Sequence, residues 1–184
     1  LRTKHEAALP YEDYLGTGTD DQQANWARIY DQVDLNDSQK SMVGGWIRPM
    51  KVIALSGIWC GDCVQQGPML ARIAEANPER IDLRWLDRDE HADLQAKVSI
   101  NAGKRVPVAI FCADDYELVS WFGDRTISRY RAMAAKQLGA ACPLPGAKPD
   151  GDELHATLTD WLTEFERVHL ILRLSTRMRQ KYGD

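Results

Sequence analysis

Residues 51–66 read Lys51-Val52-Ile53-Ala54-Leu55-Ser56-Gly57-Ile58-Trp59-Cys60-Gly61-Asp62-Cys63-Val64-Gln65-Gln66. The first six form a short apolar run bounded by Pro49 and Gly57, the pattern of a buried strand. A helix is expected over residues 60–76, stopped by Asn77-Pro78. A strand that turns tightly into a helix sets Cys60 at the helix N-terminus. There, free N–H groups and the positive end of the helix dipole favour a thiolate. Cys63 follows one turn later with its sulfur within reach of the first. One thiol can then attack a disulfide and the other resolve the mixed disulfide. Gly61 leaves room for a partner's backbone beside the attacking sulfur.

Outward from this stretch, strands and helices alternate. Residues 81–86 alternate as a second strand, residues 90–97 read as a helix with Asp89 placed to cap it, and residues 106–112 form a third strand. Ala113-Asp114-Asp115 is a turn, residues 117–122 a fourth strand, and residues 126–138 a helix closed by Gly139. The expected fold is therefore α/β, a mixed central sheet covered by helices. Upstream, residues 1–19 are polar and broken by Pro10, Gly16 and Gly18, and read as a surface arm. Trp26, Ile29, Tyr30 and Val33 then share one face of a helix, and residues 37–47 form a shorter one weakened by Gly44-Gly45. Downstream, residues 142–151 are a Pro/Gly-rich connector. Beyond it Leu154, Leu158, Trp161, Phe165, Val168 and Leu172 recur at spacings of 4, 3, 4, 3 and 4, the seam of one long amphipathic helix over residues 152–182.

Composition narrows the function classes. The chain has 184 residues, 44% hydrophobic and 27% charged, so it can build a core and lacks the charge excess of a disordered chain. Its 23 basic residues are outnumbered by 27 acidic ones, which argues against nucleic acid, and no apolar run approaches the roughly 20 residues of a membrane span. Four cysteines are too few for a disulfide scaffold at this length. A structural zinc site would need a second ligand pair, but Cys112 and Cys142 form no second CxxC and the four histidines show no ligand spacing. No metal and no bound cofactor are expected.

The assembled features resemble the thioredoxin family. Trp59-Cys60-Gly61-Asp62-Cys63 is similar to that family's Trp-Cys-x-x-Cys active site, and Pro68 to the proline that kinks its active-site helix. Val106-Pro107 resembles its cis-proline segment, and Gly123, after the fourth strand, another family glycine. The resemblance covers about residues 48–140, leaving residues 1–47 and 141–184 as N-terminal and C-terminal helical extensions of a single unit. It implies a thioredoxin fold, with Cys60 as nucleophile, Cys63 as resolving thiol, and Trp59, Val106 and Pro107 as the surface for an extended peptide. Two positions depart from the pattern. Ala54 stands where many thioredoxins carry a buried Asp, so proton relay would fall to water or Asp62. Asp62 stands where Pro is common, and its charge is expected to disfavour the thiolates.

Other residues carry plainer expectations. Cys112, at the end of an apolar strand, reads as an inert buried thiol, and Cys142 as a connector residue whose pairing the sequence does not show. Lys104-Arg105 is either a solvated loop or a dock for acidic partners. Arg173, Arg177, Arg179 and Lys181 complement a helix dipole. The C-terminal seam is expected to pack on the face of Trp26, Ile29, Tyr30 and Val33 in a monomer, with a dimer through the same seam as the alternative. The leading functional reading is reduction of protein disulfides, with electrons from a reductase or small thiols. A non-enzymatic interaction module or redox sensor on the same fold is the alternative. Residues 1–6 show no apolar signal core, which reads as cytoplasmic, with a leader removed before Leu1 left open.

Overall fold

The computed structural model describes residues 1–138 and 151–184. Its sheet is built from β1 (Met50–Ser56), β2 (Ile81–Asp87), β3 (Val108–Ala113) and β4 (Leu118–Gly123), in the order β2-β1-β3-β4. β1 runs parallel to β2, while β3 is antiparallel to both β1 and β4. The helices are α1 (Arg2–Glu6), α2 (Tyr11–Leu15), α3 (Asp20–Tyr30), α4 (Asp37–Gly44), α5 (Gly61–Glu75), α6 (Ala92–Lys97), α7 (Ile127–Leu138), α8 (Glu153–Leu174) and α9 (Thr176–Tyr182). The central strands read as unbroken apolar runs because both faces are covered: Val52, Ile53, Ala54 and Leu55 are fully buried, as is all of β3. This is the expected mixed α/β sheet with helical additions at each end.

The N-terminal segment is not a surface arm. Its backbone pairs Leu9 with Trp85 in both directions, at 2.9 and 2.8 Å, sealing part of the outer edge of β2. Its aromatic residues go inward: Tyr14 is buried, stacking on Trp85 and meeting Trp26 edge-on. Polar composition concealed this because two tyrosines, Tyr11 and Tyr14, supply the burial that an aliphatic pattern would have signalled. Thr19 and Asn36 open α3 and α4 with reciprocal capping boxes. Trp26 lies against α5 over Gly67, where a Cβ would come within 2.1 Å of the indole, and its Nε1 donates to the Ile58 carbonyl at 2.9 Å. α4 ends at Gly44, three residues short of expectation, where the second glycine leaves the helix.

The C-terminal additions differ more from expectation. The single long helix is two, broken at Ser175, whose extended backbone ends α8 and whose hydroxyl caps α9 at Met178 N–H. The seam is buried inside the molecule, but not on α3. Trp161 meets Phe122 of β4, Phe165 meets Phe111 of β3, and Trp161 Nε1 donates to Gln66 Oε1 of α5 at 3.1 Å. α3 packs on α5 instead, so α5 lies between the two additions. The basic residues near the C-terminus do more than face a dipole: Arg177 and Lys181 pair with Asp115 and Asp114 of the β3–β4 turn, and Arg173 with Asp184. Asp89 does not cap α6, which begins at Ala92; the Asp87 carboxylate instead accepts from the Asp89 N–H at 2.7 Å. Gly139, Cys142 and most of the connector lie outside the described residues.

Candidate active site

The turn after β1 delivers Cys60 to the N-cap of α5, with extended backbone and a half-buried thiol. Cys63, in the first turn, is completely buried. Both are free thiols. The two sulfurs are held in unlike environments. A hydrogen bond from the Cys63 thiol, helped by the Cys63 and Asp62 backbone N–H groups, brings the Cys60 pKa down to about 6 against the opposing effect of burial. Burial, and then the neighbouring Cys60, push the Cys63 thiol well above the usual range.

Opposite the pair, the Val106–Pro107 peptide bond is cis, and the Cys60 thiol approaches the Val106 carbonyl at 3.8 Å. Gly123 belongs here for a packing reason: a Cβ on it would come within 2.4 Å of the Pro107 carbonyl. Trp59 is about half exposed, 49%, with the Arg88 guanidinium 4.6 Å over its ring. Arg88 also donates to the Lys104 carbonyl at 2.7 Å, tying the cysteine turn to the loop before Pro107. A Cβ on Gly61 would meet open space. The fold thus gathers Trp59, Cys60, Gly61, Cys63, Val106 and Pro107 at one end of the sheet, with Gly123 behind them. Among the described residues, no group of three or more His, Cys, Asp or Glu side chains could hold a metal ion.

Comparison with known proteins agrees with this geometry. The family model described as thioredoxin matches residues 8–137. The chain belongs to the thioredoxin family. Solved structures like it include a protein of unknown function from Pseudomonas aeruginosa, 17% identical, covering 89% of this chain and 95% of that one with a TM-score of 0.69. An HIV epitope-scaffold is 16% identical over 90% of this chain and 97% of its own, with a TM-score of 0.67. At these identities the likeness is one of fold. No curated protein matches the chain.

Within the thioredoxin family, the site has its own electrostatics. Ala54 is fully buried and supplies no acid. Asp62 is not the bare carboxylate the sequence suggested: Arg125 and Arg129 both grip it, Arg129 Nη2 at 2.8 Å. Arg125 also reaches Asp124, a buried carboxylate that pairs with Arg105 at 3.0 Å. Lys104-Arg105 is therefore only in part a free basic loop. The two arginines were missed because they lie 63 and 67 residues from Asp62. A signal existed nonetheless: Arg125 and Arg129 flank the start of α7, where the helix dipole disfavours cations unless an anion faces them. Asp62 still opposes the Cys60 thiolate weakly. Asp62→Asn removes that opposition while Arg125 keeps Asp124 and Arg129 keeps Glu153 as partners, so the Cys60 pKa should fall further, by about half a unit. Thiolate absorbance at 240 nm against pH measures this; a titration that stays put or moves upward rejects it.

Cys112 is buried, and burial raises its thiol to about 11, in keeping with an inert core residue. No described helix is long and apolar enough to cross a membrane.

Proposed function

We propose that this thioredoxin-family protein is a thiol–disulfide oxidoreductase that reduces protein disulfides through Cys60 and Cys63. The observation that carries the reading is the inequality of the two thiols. Cys60, half-exposed with its pKa near 6, exists largely as the nucleophilic anion at neutral pH, whereas Cys63 is buried and kept protonated. Cys60 attacks a substrate disulfide; its sulfur bonds to one substrate sulfur while the other leaves as a thiol. Cys63 then attacks Cys60, forming the Cys60–Cys63 disulfide and releasing the second substrate thiol. Trp59, Val106 and Pro107 form the face for an extended substrate segment, with Gly61 open to its approach. Electrons return from a reductase or a small thiol, and a reducing compartment such as the cytoplasm would keep the pair as a dithiol.

Two measurements test the reading. Limiting iodoacetamide should label Cys60 first, its rate rising with a midpoint near pH 6. First labelling at Cys63 or Cys112 would reverse the assignment. In an insulin reduction assay with dithiothreitol, catalytic turnover is expected. Reversible oxidation of the pair without turnover would favour the redox sensor instead.

A further inference from the structure

The resolving step asks for an anion at the worse of the two places. Once Cys60 is tied up in a mixed disulfide, Cys63 must lose its proton inside a wall that burial has made hostile to charge. Ala54 offers no acid behind it, and the Asp62 carboxylate is held by Arg125 and Arg129.

Two hydroxyls stand there instead. Ser56 closes β1 on the same face as Ala54 and is completely buried. Its hydroxyl lies within reach of both the Cys63 thiol and the Tyr14 phenol, yet closes a hydrogen bond of ordinary geometry to neither. Tyr14 arrives from α2, is 2% exposed, and has its ring fixed against Trp85 at 5.5 Å and Trp26 at 5.8 Å. Its hydroxyl also lacks a closed hydrogen bond. Other buried side chains are open in the same way, Tyr11 and Trp85 among them, but Ser56 and Tyr14 are the pair that lies at the cysteines. A donor that is open in the resting state and satisfied when charge develops stabilises the charged state selectively.

We propose that Ser56 and Tyr14 form a hydroxyl relay for the resolving step, Ser56 donating to the Cys63 sulfur as it becomes anionic and Tyr14 donating in turn to Ser56. The proposal rests on the dithiol reading above. In the step, Cys63 Sγ bonds to Cys60 Sγ and the bond from Cys60 to the substrate sulfur breaks. The electron pair leaves on that sulfur, which also takes the proton Cys63 gave up. Ser56 and Tyr14 remain neutral throughout. The charged or titratable groups acting on Tyr14 are Cys60 at the N-cap of α5, Cys63 in its first turn and Asp87, the register partner of Ser56 on β2. Burial and these neighbours raise the phenol's pKa, so Tyr14 stays a donor. Ser56 touches the reacting sulfur's surroundings directly, whereas Tyr14 is a positioning residue that acts through it. The N-terminal segment thereby becomes part of the site.

Stopped-flow reaction with 5,5′-dithiobis(2-nitrobenzoate), in a Cys142→Ser background, separates the two thiols. The first thionitrobenzoate release reports attack by Cys60, and the second reports Cys63 closing on the adduct. Tyr14→Phe keeps the ring and removes only the hydroxyl. It should slow the second release about threefold and raise its pH midpoint by about half a unit, leaving the first release unchanged. Ser56→Ala should act in the same direction by about tenfold, or one pH unit. A second release unchanged in both variants overturns the relay. So does equal slowing of both releases, which would mark a packing role. A parent protein that releases a single equivalent overturns the dithiol reading itself, and the relay with it.

Discussion

Cys63→Ser, offered an oxidised protein substrate, should accumulate a covalent mixed disulfide through Cys60, while Cys60→Ser should form none and lose turnover to background. The first half follows from the order of events. Cys60 is the half-exposed thiol with its anion favoured, so it attacks without help from the Cys63 sulfur's nucleophilicity. Serine at 63 then lacks a nucleophile able to release the substrate, and the adduct persists. The second half follows from burial: Cys63, fully enclosed and with its thiol pKa raised, cannot substitute as attacker. Non-reducing electrophoresis with mass spectrometry of the adduct reads both outcomes. Adducts on Cys63 or Cys112, or turnover surviving in Cys60→Ser, would contradict the mechanism.

The chemistry was legible where it is local in the chain. The strand, turn and helix around Cys60 follow from periodicity, Pro49, Gly57 and Pro78, and the thiol asymmetry from a helix N-terminus facing one cysteine and a core facing the other. Features that join distant segments were not legible. Asp62 looked like an isolated acid until Arg125 and Arg129 folded over it from the start of α7. Arg88, which lies on Trp59 and bonds to Lys104, carried no sequence signal, since an arginine in a polar loop is ordinarily solvated. The surface arm failed for a different reason. Tyr11 and Tyr14 sit in one helix, α2, of five residues, too short for a 3.6-residue period to register, so their packing against Trp26 and Trp85 was hidden by polar neighbours. The C-terminal seam was read correctly as buried and wrongly as facing α3, because periodicity reports that a face is apolar and not what covers it.

That seam carries the largest stability effect. Trp161 is fully buried where α8 crosses α5 and β4, its ring edge-on to Phe122 at 5.1 Å and its Nε1 bonded to Gln66. Gln66 is also fully buried and donates to the Asp124 carbonyl, so the indole anchors a polar link between α5 and the segment leading into α7. Trp161→Ala should destabilise the protein by about 3–5 kcal/mol through lost transfer energy and a residual cavity. It also leaves Gln66 Oε1 without its donor, a further loss of about 1–3 kcal/mol. Against a domain stability of about 5–15 kcal/mol, such a change should bring the urea midpoint down sharply or prevent folding at 37 °C. Leu170→Ala, on the exposed side of the same helix at 48% exposure, should change stability by no more than about 0.5 kcal/mol. The contrast separates internal packing from assembly. If the seam served a second copy, Trp161→Ala would abolish a concentration-dependent dimer in sedimentation while leaving the monomer's urea midpoint in place. With the seam turned inward on Phe111 and Phe122, sedimentation should show one species at every concentration and the whole loss should appear in the unfolding transition. α8 then covers the sheet face behind the cysteine helix and holds α5, through Gln66, in the position the two thiols require.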